Sequence, residues 1–322
     1  MYLLEGALSL LFLIGGSEQA ATASQAPPVV ATEFGESSDL LWARRIFDDP
    51  AAWSNTVSSA ETRRQIQTAS LDAQIASVSG HPVRLQDECG RDIGCFAILE
   101  MEALRPTLNA RTFEQDRAEA ARMVAAALST ASDLDKEARD ATLPEPARIL
   151  AFGRRDQALR GFFNALYDDA TLSKSSQGAQ GLAVIMIRME LRRRDLEAVD
   201  FMSSVIAQNG WPKRESHGEK VVEAAWLIAQ HADRDPLFQV KALSLLEKTL
   251  PNNPDRMRDY AFLFDRVAVA LGDPQRYATQ IVCQGHNYRI GAVEDLTGLD
   301  DRRRQIGLNP IASRVSELGE PC

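Results

Sequence analysis

The chain has 322 residues, 45% of them hydrophobic and 25% charged, a composition that supports one large folded domain or two ordinary ones. Its formal charge is −9 and its pI about 5.1, which excludes the broadly basic surface that neutralises nucleic-acid phosphates. No nucleic-acid partner is expected.

The first residues, "MYLLEGALSLLFLIGGSEQAATASQA", read as a secretory signal over 1–23. Ala7 to Ile14 form a short apolar core, and Ala21-Thr22-Ala23 supplies small residues at a cleavage point. The segment ahead of the core departs from the usual pattern, carrying Glu5 and no base. A run of eight apolar residues cannot cross a bilayer, which takes about 20, so no stable membrane span is expected. Cleavage after Ala23 removes Glu5 and Glu18 and no base, moving the charge from −9 to −7. A periplasmic or secreted protein follows, or a cytoplasmic one if this segment is not a signal. Residues 24–36, within "SQAPPVVATEFGESS", form a linker without periodicity.

Downstream the chain reads as all-α, an antiparallel helical array or bundle in two helical lobes, 37–175 and 176–322. Ser58 and Glu61 have capping-box spacing, and Gly80 stops the helix they open. "DIGCFAILEMEAL" (92–104) is an apolar helix, and "FEQDRAEAARMVAAALSTA" (113–131) is Ala-rich with good helix propensity. Pro144 and Pro146 begin a long amphipathic run, and "SSQGAQ" at 175–180 is the internal boundary. In the second half Asp235-Pro236, Asn253-Pro254 and Asp273-Pro274 each place a capping side chain before a proline. The cap accepts from free backbone N–H groups, and proline at the first helical position has no N–H to lose. Three helix starts are therefore expected there. No hairpin signal or strand-length alternation stands out. Arg192-Arg193-Arg194 and Arg302-Arg303-Arg304 read as solvated helix faces paired with neighbouring acids.

Four cysteines, Cys89, Cys95, Cys283 and Cys322, suit an oxidising compartment. A Cys89–Cys95 bridge closes a short loop containing Gly90 and Gly94 and contributes about 2.4 kcal/mol in the chain-entropy treatment. A Cys283–Cys322 bridge would pin the C-terminal tail, for about 4 kcal/mol by the same treatment. Free thiols and a zinc site are the alternatives, the latter weakened by the lack of a CxxC pair.

The string Gly210-Trp211-Pro212, Gly218, "AWLIAQHADRDPLFQ", Asp265-Arg266, "GDPQRYATQ" and "RRQIGLNPI" resembles a family of bacterial proteins built on a domain of unknown function. The resemblance covers residues 188–314, about 40% of the chain. This chain departs from the family in two places. It lacks an Asn-Thr pair upstream of Gly-Trp-Pro, and it has Tyr277-Ala278-Thr279-Gln280 where the family has Tyr-Gly-Thr-Gln. The resemblance brings no activity with it, so it locates candidate residues without giving them roles.

Among these, His231 sits in the last turn of its helix, where the carbonyl end favours a charged imidazole. It is either a helix-end cap or a proton shuttle or ligand oriented by Asp233. Asp235 is the cap before Pro236. Asp265 emerges from an apolar face and needs a partner from another segment, either an arginine or His231 or a ligand group. Trp211, Gln230, Arg266, Gln275, Tyr277 and Gln280 are the candidate ligand-binding residues, the aromatics forming pocket walls. Trp226 reads as core. His81, His217 and His286 sit in turns and loops. There is no HExxH, nucleophile elbow, phosphate-cradling glycine loop or calcium loop, so no metal or cofactor is implied.

Two functions are compatible with these residues. The first is an envelope module that binds a small ligand or a protein. The second is a hydrolase-like enzyme using His231 as base with Asp233 or Asp265 as orienter or metal ligand.

Overall fold

The computed structural model describes residues 39–318, apart from 81–82, 84, 86–88, 169–173, 253 and 285–286. The signal and linker segments, Cys322, the Cys283 side chain, His81, His286 and the Asn253 cap lie outside the described residues.

The architecture is helix-dominated. A 3₁₀ turn at Leu41–Arg44 leads into α1 (Arg45–Asp48), α2 (Pro50–Ser79), α3 (Ile93–Leu104), α4 (Phe113–Arg139), α5 (Glu145–Asp168) and α6 (Gln177–Asn209). There follow α7 (Arg214–His217), α8 (Glu219–Gln230), α9 (Pro236–Glu247) and α10 (Met257–Leu271). A hairpin, β1 (Ile281–Gln284) and β2 (Asn287–Ile290), precedes α11 (Leu299–Gln305) and α12 (Ile311–Glu317). No described helix is long and apolar enough to cross a membrane.

Side-chain caps open four of the described helices, α2, α3, α6 and α9. Asp92 accepts from Cys95 N at 2.8 Å, Ser176 from Ala179 N at 3.0 Å, and Asp235 from Phe238 N at 3.0 Å. Helix α2 opens earlier than the Ser58–Glu61 spacing suggested. Asp49 already accepts from Ala52 N at 3.0 Å, with Pro50 at the first helical position. Ser58 and Glu61 are therefore mid-helix, and Gly80, at φ 79°, ends the element as expected.

Buried apolar side chains form two clusters. One gathers Trp53, Phe96, Met101, Phe113 and Met186; the other gathers Phe152, Met202, Trp211, Phe238 and Leu263. Helix α6 runs through both: Leu182 to Leu191 belong to the first, Ala198 to Val205 to the second. Cys89 and Cys95 are bridged, with Cα atoms 5.7 Å apart.

Three expectations need correction. Asp273-Pro274 opens no helix: Gly272 (φ 78°) ends α10, and the chain continues as an extended loop into β1. Strand β1 pairs antiparallel with β2, Ile281 opposite Ile290 and Val282 opposite Arg289, a strand pair for which the sequence carries no signal. Each strand is only four residues long, too short for alternation to register. Third, the arginine runs are not solvated faces throughout. Arg192 is buried, donates to Gly90 O and lies 4.6 Å from the Phe96 ring centre. Arg303 is buried and donates to Tyr277 O at 2.6 Å.

Candidate functional site

Helices α5 and α8 approach unusually closely. A Cβ on Gly153 would stand 2.9 Å from Ala224 Cβ, so only glycine allows this spacing without a shift. One turn beyond Gly153, Asp156 reaches His231 at the end of α8, with 2.8 Å between Oδ2 and Nδ1. His231 thus takes its partner from α5, and Asp233 does not fill that place. Asp156 also accepts from Arg160 Nε at 2.7 Å, and Arg160 Nη2 donates to Asp195 Oδ2 at 2.8 Å.

This chain of groups separates two carboxylates chemically. Burial would raise the Asp156 carboxyl, but the His231 hydrogen bond and charge, with Arg160, hold it below the ordinary carboxylate range. Burial pushes Asp195 up to about 7, with Arg160 opposing and the charges of Asp156 and Asp233 adding to the rise. At neutral pH Asp156 is an acceptor only, so the proton on Nδ1 of His231 points at it. The other nitrogen, Nε2, has no hydrogen-bond partner among the described residues. This is the arrangement in which an imidazole can pass a proton outward.

The rest of the turn 231–235 is held from several directions. Asp233 accepts from Arg266 Nη1 on α10 at 2.9 and 3.0 Å. The Arg234 guanidinium lies 5.9 Å from the Phe96 ring centre. Asp235, besides capping α9, accepts from Arg91 Nη1 at 2.9 Å, and Arg91 Nη2 reaches both carboxylate oxygens of Asp200 at 2.6 and 2.7 Å. Buried Gln239 donates to Ala229 O at 3.1 Å and Gln230 O at 3.3 Å, satisfying carbonyls at the end of α8. Beside this turn Asp233, Arg266 and Gln280 line a cavity of about 230 Å³, closed on its apolar side by Leu85, Pro236 and Val269.

The remaining candidates lie elsewhere. Asp265 is fully buried, and its partners are neither an arginine side chain nor His231. It accepts from the backbone N–H of Arg276 at 2.7 Å, Tyr277 at 3.1 Å and Thr279 at 2.8 Å. Gln275, also fully buried, clamps the same loop: Oε1 accepts from Gln280 N at 2.9 Å and Nε2 donates to Gln280 O at 3.1 Å. Tyr277 is buried in this loop. Gln230 is buried with Oε1 unpartnered. Trp211 lines a different cavity, with Val222 and Arg256. The structure therefore brings Asp233, Arg266 and Gln280 to one cavity, puts Asp265 and Gln275 behind it as supports of the loop that carries Gln280, and sends Trp211 to another cavity. Among the described residues no three His, Cys, Asp or Glu side chains are grouped to hold a metal.

Sequence reasoning missed Asp156, Arg160 and Asp195. Asp156 and Arg160 are visible as an i,i+4 pair, and Gly153 as a glycine inside a helix. Nothing local indicates that they face His231, 75 residues away.

The model of a family of unknown function (DUF6624) matches residues 149–320. No curated protein and no solved structure matches the chain.

Proposed function

We propose that this chain, which belongs to the family of unknown function (DUF6624), is an exported binding module. Its ligand is a small molecule with an apolar body and a polar head, held in the cavity beside the 231–235 turn. One observation carries the reading: an ion pair, Asp233–Arg266, and the Gln280 amide share a cavity of about 230 Å³ with an apolar wall. Arg266 adds a buried Nε that meets no acceptor among the described residues. The raised Asp195 nearby is a further mark of a site, since perturbed carboxylates cluster where ligands act. Export is supported by the apolar N-terminal core and by the Cys89–Cys95 bridge.

A thermal-shift screen of small amphiphiles against the full chain tests the binding role. The expected result is a hit that raises the melting temperature of the wild type and not of Arg266→Gln or Gln280→Ala. Hits that shift all three proteins equally, or no hit at all, would sink it. For export, the N-terminal sequence of protein from the envelope fraction should begin after Ala23.

A second reading, hydrolase-like acid–base chemistry, is favoured by the His231–Asp156 pair. Here Asp156, in place of Asp233 or Asp265, orients the base. Hydrolysis of simple aryl esters lost in both His231→Gln and Asp156→Asn would select it over binding alone.

A further inference from the structure

The second cavity, about 360 Å³ in volume, is independent of the site above. Its apolar surface comes from Trp211, Val222 and Leu246, and its polar rim from Lys213, Lys248 and Arg256. Arg214 and Glu215 also border it. The hydrogen-bonding capacity of this lining is one-sided. Trp211 is buried, and its Nε1 has no partner among the described residues. Arg256 is also buried; Nη1 is taken by Glu219 at 3.1 Å and Asp259 at 2.6 Å, while Nε and Nη2 have no acceptor among the described residues. Arg214 is already engaged by Glu219 and Asp255. The ammonium groups of Lys213 and Lys248 are exposed and form no ion pair among the described residues.

Among the described residues, every buried side-chain group at this cavity that lacks a partner is a donor, and the carboxylate in the lining, Glu215, is exposed. Indole N–H, guanidinium and ammonium cannot accept, so a neutral donor-rich ligand gains nothing here. A ligand head that only accepts meets the exposed Lys213 and Lys248 ammonium groups directly, and the buried Trp211 and Arg256 donors add to that preference. An anion also finds local positive charge on a molecule whose formal charge is −9. The indole face and the two aliphatic side chains suit an apolar body attached to that head.

We infer that this cavity is a binding site for a small carboxylate with an aryl or acyl body. The carboxylate meets the Lys213, Lys248 and Arg256 side, and the apolar body lies against Trp211, Val222 and Leu246.

Calorimetric titration of the full chain with phenylacetate and octanoate, alongside phenylacetamide and inorganic phosphate, tests this. The expected result is saturable 1:1 binding of at least one carboxylate, with the amide at least 10-fold weaker and phosphate weaker still. Lys248→Gln, an exposed position that leaves the core intact, should weaken the carboxylate about 3- to 10-fold. Trp211→Phe keeps an aromatic ring and removes the lone N–H, and should weaken it as well. Circular dichroism of both variants should match the wild type. Equal binding of amide and carboxylate would overturn the inference, as would phosphate binding at least as tightly. So would carboxylate affinity unchanged in both variants, or no saturable binding in the millimolar range.

Discussion

The turn 231–235 and the loop 275–280 are both mostly polar segments of the string that resembles the family, yet they are held in different ways. In the loop, the fully buried Asp265 collects three backbone N–H groups, Gln275 clamps Gln280, and Arg303 from α11 donates to Tyr277 O, so the bonds go mostly to backbone groups. In the turn, four of five positions are polar and reach four other parts of the fold: His231 to α5, Asp233 to α10, Arg234 to Phe96 and Asp235 to Arg91. The loop's polarity replaces secondary structure. The turn's polarity ties elements together and leaves groups partly open, with Asp233 side-chain exposure at 46% and His231 at 18%. A buried carboxylate satisfied by backbone has no capacity to spare, whereas half-exposed pairs do.

The strongest break of this contrast is Asp265→Ala. Three N–H groups lose their acceptor, at about 1–3 kcal/mol each, and urea unfolding should show a loss of about 4 kcal/mol. By comparison Asp233→Asn should cost no more than about 1 kcal/mol, because the Arg266 pair is half-exposed. A similar cost at both positions would erase the distinction.

Between these lies the titration of Asp195. Its folded carboxyl is raised to about 7 from 3.8, so between those values the folded state holds more protons than the unfolded one. Stability contributed by this group therefore falls as pH rises from about 4 to 7. Asp156 acts in the opposite sense: its carboxyl is depressed, and its contribution is lost as pH falls through the folded value. Asp195→Asn should flatten the decline of unfolding free energy between pH 4 and 7, measured by urea titration at stepped pH. An unchanged slope would place the raised carboxyl elsewhere.

The smallest effect sharpens the loop side. Ala278 is fully buried at φ 52°, the left-handed region, where the resembling family has glycine. Ala278→Gly relieves a cost of about 1 kcal/mol and should raise the melting temperature by a few degrees.

These two regions also show how far the fold was legible. Asp235-Pro236 and Asp273-Pro274 look alike in sequence, and only the first opens a helix. The second is overruled because the residues after Pro274 donate their N–H groups to Asp265 and not to a helical ladder. Helix class, the Gly80 stop and the Cys89–Cys95 pairing depend on local chemistry and were readable. The partner of His231 was not, because its place is set by two helix axes meeting at Gly153 and Ala224. Part of the candidate site could be read in the same way. Asp233, Arg266 and Gln280 share a cavity, while Asp156 and Asp195 enter only through tertiary packing.

Helix α6, at 33 residues about 50 Å long, serves as a common spine, with one end seated among the residues around Phe96 and the other among those around Phe152. Such a rod cannot melt at one end without dragging on the other. Amides near its midpoint, around Leu191 to Leu196, should exchange with deuterium only when the whole molecule opens. A fragment cut at 175 would leave an orphaned greasy stripe on each side of the break.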